Sequence, residues 1–345
     1  MTYSIIVPVY NRPNEVDELL ESLCTQTLQD FEVIIVEDGS TITSQDICAR
    51  YEDRMKIRYF VKSNTGPGDT RNYGAQRADG IYLIILDSDV VLPPHYLKAV
   101  DDALAADPVD AFGGPDCAHT SFTPTQKAIS YSMTSFFTTG GIRGGKKKLD
   151  KFYPRSFNMG IRRDVYTHLG GFSRMRFGED IDFSIRIFRA GYHCRLFPEA
   201  WVWHKRRTDF RKFYRQVYNS GIARINLYRK YPDSLKPVHM LPAFFTVGLM
   251  LLIFTSAVGR AMMHYGSSPL WLWVFLVPWM LISAYALLIA LSATIVNRSL
   301  RIGLLAIAAA FTQLTGYGLG FLEAWWKRII LGKDEFQAFQ NTFYQ

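Results

Sequence analysis

Ile81-Tyr82-Leu83-Ile84-Ile85-Leu86-Asp87-Ser88-Asp89 is the stretch on which the reading of this chain turns. A short apolar run bounded by polar residues predicts a strand buried on both faces, and this one runs straight into two carboxylates two residues apart. Inside a strand, alternation would point those carboxylates to opposite faces, but in the turn that follows both can face one site. Residues 4–9 form a similar β-branched run, followed by Asn11, Pro13 and then Val16, Leu19, Leu20 and Leu23 at helical spacing. Residues 31–36 predict a second buried strand, which ends in Glu37-Asp38-Gly39-Ser40, and residues 57–61 a weaker third. Strands alternating with amphipathic helices predict an α/β fold with a mostly parallel sheet flanked by helices. Ligands of such sheets bind outside the carboxyl ends of the strands, where Asp38, Asp87 and Asp89 fall. Further along, a helix to about residue 106, a short strand near Ala111, strands over 155–161 and 195–202 and a helix over 181–190 are expected, with a Gly- and Lys-rich loop over 138–151.

The carboxylates suggest chemistry, each beside a plainer reading. Asp87 and Asp89 offer hard oxygen donors suited to Mg²⁺ or Mn²⁺, although acidic turns without metal are common. Asp38 is placed to accept hydrogen bonds from a base or ribose, or is simply a turn aspartate beside Gly39. Gly178-Glu179-Asp180-Ile181-Asp182 opens a helix; its carboxylates either satisfy the helix dipole or supply a general base.

The 345 residues carry a formal net charge of +8 and divide unevenly between a polar first part and an apolar last part. Three apolar runs, 241–259, 270–296 and 302–322, approach or exceed the ~20 residues that cross a bilayer as a helix. Residues 1–10 lack the features of a secretory signal, so the catalytic part is expected in the cytoplasm at the cell (inner) membrane. Cys24, Cys48, Cys117 and Cys194 show no paired spacing, which fits a reducing compartment. Basic clusters at 143–151 and 205–215 sit before the apolar runs and suit an anionic leaflet or lipid phosphate. No nucleic-acid partner is expected, because no motif interleaves aromatic and basic residues for base stacking.

Taken in order, Ser4-Ile5-Ile6-Val7-Pro8-Val9-Tyr10-Asn11, Val36-Glu37-Asp38-Gly39-Ser40, Arg71-Asn72-Tyr73-Gly74, Leu86-Asp87-Ser88-Asp89, Asn158-Met159-Gly160, Gly170-Gly171-Phe172 and Gly178-Glu179-Asp180-Ile181-Asp182 resemble the motif series of family 2 glycosyltransferases over residues 3–210. The resemblance implies a GT-A nucleotide-sugar transferase fold and a metal-dependent, inverting single displacement from a nucleotide-diphosphate sugar, UDP- in preference to GDP-. It also implies Asp180 as the base, and Pro8, Tyr10, Asp38, Arg71 and Asp87 around the nucleotide sugar. Asp89 and His204 would meet the metal, with Asn158, Glu179 and Arg207 near donor or acceptor. The acceptor is expected to be a membrane-held, polyprenyl-linked glycan. Transfer directly onto a lipid phosphate is the alternative, and a catalytically inert membrane scaffold the alternative of another class.

The implied organisation is a catalytic domain over 1–210, juxtamembrane basic helices over 211–240, three transmembrane helices within 241–323 and an interfacial tail over 324–345. Charge disagrees with the count of spans. Three crossings would put the tail opposite the catalytic domain, yet Lys327, Arg328 and Lys333 follow the third run, while Arg298 and Arg301 precede it. Either one run is re-entrant or interfacial, or the bias of the short tail is overridden.

Overall fold

The computed structural model describes residues 1–117, 122–139, 152–175, 177–205, 207–266 and 268–335. The basic cluster at 143–151 and most of the expected loop over 138–151 lie outside these residues. In chain order the elements are β1 (Tyr3–Val9), α1 (Pro13–Cys24), β2 (Phe31–Asp38), α2 (Gln45–Ala49), β3 (Lys56–Lys62), α3 (Pro67–Ala75), β4 (Tyr82–Leu86), β5 (Val90–Val91), α4 (Tyr96–Ala106), β6 (Ala111–Gly113) and β7 (Asp116–Cys117). They continue with α5 (Pro124–Thr134), α6 (Phe136–Thr139), β8 (Asn158–Arg162), α7 (Arg163–His168), α8 (Glu179–Arg189), β9 (Cys194–Leu196), β10 (Val202–His204), α9 (Phe210–Lys230), α10 (Leu241–Tyr265), α11 (Leu270–Asn297) and α12 (Leu300–Trp325). The chain divides into two units. One holds all ten strands with α1–α4, α7 and α8; the other holds α5, α6 and α9–α12.

In the first unit seven strands are ordered β3-β2-β1-β4-β8-β6-β9, and a small sheet is ordered β5-β10-β7. Strands β1 to β4 are mutually parallel, while β8 runs antiparallel to both β4 and β6. Successive residues of β1 explain its unbroken apolar run. Ile5 and Val7 join a core with Leu19 and Leu20 of α1 and Tyr96 and Leu97 of α4, whereas Ile6 joins a second core with Val165, Phe172 and Phe183. A strand covered on both faces cannot alternate in polarity.

The expected strand over 195–202 is two short strands in different sheets. Pro198, which offers no N–H to a ladder, falls in the turn between them. On β8, a Cβ at Gly160 would lie 1.9 Å from Cζ of Phe112, a fully buried ring stacked on Phe197 at 4.7 Å. Gly160→Ala is therefore expected to destabilise the first unit by about 1–3 kcal/mol through overpacking. Urea unfolding followed by fluorescence checks this, and an unchanged midpoint would show that the ring relaxes freely.

In the second unit α10, α11 and α12 are each long and apolar enough to cross a membrane. Residues 124–139, expected within the catalytic domain, belong to this unit by packing. Ala128 and Ile129 of α5 share a core with Phe213 and Val217 of α9 and with Ala306, Ala309 and Ala310 of α12. The small side chains of α12 permit this close approach. The residues expected as an interfacial tail continue α12 as a wider helical turn over Trp326–Ile330, and those from 336 onward lie outside the described residues.

Candidate active site

The turn after β1 sets the geometry. Asn11 adopts a left-handed backbone (φ +53°), which asparagine tolerates better than most residues. Its side-chain oxygen accepts from the backbone N–H groups of Thr41 (2.8 Å) and Ile42 (2.9 Å), and its own N–H donates to the Ser40 hydroxyl. The turn is thereby tied to the loop after β2, and the next residue, Arg12, reaches the end of β4. Its guanidinium donates to Asp89 Oδ2 at 2.7 Å. Burial opposes the Arg12 charge, but Asp89, Glu15 and Asp87 hold its pKa above the ordinary value.

Asp89 is 7% exposed, and its other oxygen lies 3.2 Å from His204 Nε2. His204 comes from β10, which pairs with β5 immediately after Asp89, so the small sheet brings together residues 115 positions apart. The imidazole stacks on Phe157 at 4.8 Å, and Asp116 stands 3.9 Å from Nδ1. One ligand atom each from Asp87, Asp89 and His204 lie within 4.8 Å of one another. Two hard carboxylate oxygens and an imidazole, with a guanidinium already drawn to the same negative charge, form a donor set that fits Mn²⁺ or Mg²⁺.

A second constellation adjoins the first through Arg71. This residue, on α3 and 4% exposed, donates to Asp87 Oδ1 at 2.8 Å and to Glu179 Oε1 at 3.1 Å, and its guanidinium lies over the Phe172 ring. Burial works against the Arg71 charge, yet Asp87, Glu179 and Asp180 hold it above the ordinary value. Burial pushes the Glu179 carboxyl up, with Arg71 opposing. The guanidinium thus links the carboxyl end of β4 to the first turn of α8, where Asp180 stands. Asp180 accepts from the Ile181 N–H at Oδ1 (2.8 Å), and Arg155 Nη1 approaches Oδ2 at 3.3 Å.

Not every expected site residue presents a free group. Asp38 Oδ1 accepts from Lys62 Nζ (2.7 Å) and the Thr65 N–H (2.9 Å), and Oδ2 from the Gly66 N–H (2.8 Å). Its carboxylate is engaged in holding the loop before α3. Asn158, expected near donor or acceptor, is a buried tie between elements. At 1% exposure its amide accepts from the Tyr96 hydroxyl and donates to the Ala200 carbonyl. Pro8 is half-buried at the end of β1, and Tyr10 is 46% exposed at the rim of the same turn. Arg207 falls in the second unit. Arg12, Arg155 and Lys62 were not legible as site residues. Each meets a carboxylate 24 to 77 positions away, and Pro13 after Arg12 signalled only a helix start.

The sequence pattern of Glycosyl transferase family 2 matches residues 4–170, the part that supplies β1 to β4, Arg71 and the Asp87-Ser88-Asp89 turn. The chain carries a family 2 glycosyltransferase domain. It is 40% identical over 101 residues to validoxylamine A glucosyltransferase of Streptomyces hygroscopicus subsp. jinggangensis, a match covering 28% of this chain and 24% of that protein. It is 25% identical over 247 residues to the uncharacterized glycosyltransferase EpsJ of Bacillus subtilis, covering 70% of this chain and 64% of the other. The chain thus spans about a quarter of the first relative's length. The mannosyltransferase PcManGT of Pyrobaculum calidifontis, solved with GDP-Man and Mn²⁺, superposes with a TM-score of 0.58 at 17% identity, over 94% of this chain and 87% of that one. This likeness shows the GT-A fold, and in this chain helices α9 to α12 follow the last strand.

Proposed function

We propose that this chain is a membrane-bound, inverting glycosyltransferase that moves one sugar from a nucleotide-diphosphate sugar to a hydroxyl of a polyprenyl-linked glycan at the inner membrane. The observation that carries the reading is Arg71, which joins the Asp87–Asp89–His204 cluster to the helix start bearing Asp180. A charged donor and a base for the acceptor are needed side by side, and this guanidinium links a group suited to each.

In this reading the donor diphosphate lies against Asp87, Asp89, His204 and Arg71, with Tyr10 and Pro8 beside the nucleoside and Asp38 shaping the loop that faces it. When bound at Asp87, Asp89 and His204, a divalent cation supplies positive charge to the departing diphosphate. The acceptor oxygen attacks the anomeric carbon while its proton passes to Asp180. The bond from that carbon to the donor phosphate oxygen breaks, its electron pair leaving on the nucleoside diphosphate. One such displacement inverts the anomeric centre. Arg155 orients the Asp180 carboxylate, and Arg71 adds fixed charge where the leaving group becomes more negative. The three apolar helices support an acceptor held at the bilayer, since anchoring confines the search to the membrane surface.

Binding of UDP- and GDP-sugars to the detergent-solubilised full chain, with Mn²⁺ and again with excess EDTA, tests the reading. One donor, expected among the UDP-sugars, should bind in the presence of metal and lose at least about tenfold in affinity without it, on the order of 1.4 kcal/mol. Binding of no nucleotide sugar under either condition would favour an inert scaffold.

A further inference from the structure

The three apolar helices of the second unit are not equivalent. In their most apolar stretches α10 and α11 are 17% buried, whereas α12 is 44% buried. Helices α10 and α11 form an antiparallel hairpin. Gly259 abuts Val274 and Phe275, the Ser256 hydroxyl donates to the Phe275 carbonyl, and Phe245 meets Tyr285 at 5.5 Å. The amino end of α10 and the carboxyl end of α11 therefore lie at the same end of the hairpin.

Helix α12 stays at that end. Its Gly303 abuts Ala290 and Thr294 of α11, and its Phe311 meets both Tyr285 (5.7 Å) and Phe245 (5.8 Å). Further on, the Thr246 hydroxyl of α10 donates to the Leu314 carbonyl, and Gly318 abuts Pro242 and Thr246. Fifteen residues of α12, about 22 Å of helix, lead from the last turns of one hairpin arm to the first turns of the other. A third spanning helix would instead follow one arm towards the opposite end.

The neighbour on another side of α12 is independent of the hairpin. Helix α9 runs alongside it in the same direction. Tyr214 and Val217 meet Gly316, Tyr218 meets Gly320, Gly221 meets Tyr317 and Phe321, and Tyr228 stacks on Trp325 at 6.0 Å. From the last turn of α9, Arg229 Nη1 donates to the carbonyls of Arg328 (3.0 Å) and Lys333 (3.2 Å), past the end of α12. Over its 21 residues α9 carries Arg211, Lys212, Arg215, Arg224, Arg229 and Lys230 and no acidic residue. Cations at both ends and in the second half do not belong across a hydrocarbon layer, and a helix lying along α9 shares its orientation.

We infer that only α10 and α11 cross the bilayer, and that α12 lies in the membrane surface across the foot of their hairpin, with residues 326–335 returned to the side on which α9 lies. Arg298, Arg301, Lys327, Arg328 and Lys333 then share one face of the membrane with α9, while Arg260 and His264 lie towards the other. That asymmetry obeys the positive-inside rule, which three crossings would violate. The small-residue faces of α12 serve contact with α9 and the hairpin, and its aromatic end, Trp325 and Trp326, suits the headgroup layer.

Labelling of single cysteines by a membrane-impermeant maleimide, in sealed vesicles of both orientations, tests this on the full chain in a Cys117→Ser background. Arg211→Cys in α9, Asn297→Cys before α12, and Asp334→Cys or Glu335→Cys after it should all label from one side. Ser268→Cys, between α10 and α11, should label at least about tenfold faster from the other. Labelling of residues 334 and 335 together with residue 268, or of all positions from one side, would overturn the two-span arrangement. The outcome is independent of whether any sugar is transferred.

Discussion

Asp89→Asn should abolish metal-dependent donor binding and lower transfer by on the order of 10² to 10³, the usual cost of removing one preorganised electrostatic contact at the reacting charge. The carboxylate is a shared anion in a crowded place, with Arg12 at 2.7 Å on one oxygen and His204 at 3.2 Å on the other. Asparagine keeps the shape but removes the negative charge that holds a divalent ion, and its NH₂ group offers no lone pair to a cation. Manganese binding, followed by electron paramagnetic resonance with and without nucleotide, should weaken even where no acceptor is supplied. Arg12 is the built-in comparison. In Asp89→Asn the guanidinium loses the charge of its partner, so a modest loss of stability should accompany the loss of metal. Wild-type transfer that is equal in Mn²⁺ and in EDTA would remove the metal from the reading altogether.

Asp180→Asn should lower kcat by ~10² to 10⁴ and leave donor affinity nearly intact, because a general base takes its proton only as the new bond forms. The competing account is structural. Asp180 lies in the first turn of α8 behind Gly178, where a carboxylate favours the helix dipole by about 0.3–1 kcal/mol and where Asn could still accept from the Ile181 N–H. That account anticipates near-normal rates and a small fall in stability. The neighbouring Glu179 is half-buried and paired with Arg71, so Glu179→Gln should disturb donor affinity as well as rate. The contrast between the two neighbours separates base from scaffold. A kcat within about threefold of wild type for Asp180→Asn, a barrier change below roughly 0.7 kcal/mol, would refute the base assignment.

Much of the fold was legible because its strands are covered on both faces. A run such as Ser4-Ile5-Ile6-Val7 or Leu83-Ile84-Ile85-Leu86 is short, rich in β-branched residues and bounded by polar residues, which favours a central strand over a buried helix, and both appear within a residue or two of their expected bounds. The acidic turn after β4 and the acidic opening of α8 were legible too, since each is a local pattern. The functions of single residues were less so. Asp38 and Asn158 occupy positions where a motif suggests ligand contact, and packing turns both groups inward onto Lys62, the loop before α3, Tyr96 and Ala200. Sequence cannot show that an amide or a carboxylate has already found its partners.

What the sequence by itself determined is the alternation of central strands and helices up to β4, the family 2 pattern and the three apolar helices, because these depend on period, local polarity and length. What only the tertiary structure decided is which distant groups meet. Arg12 reaches Asp89 through a left-handed turn locked to another loop, and Arg71 joins β4 to α8 across 108 positions. Residues 124–134, inside the range expected for the catalytic domain, form α5 and share a core with α12. Hydropathy made α12 a third span, but its glycines and alanines bring it against α9 and the foot of the α10–α11 hairpin. An apolar helix buries itself equally well in lipid or in protein, and only its neighbours in space distinguish the two.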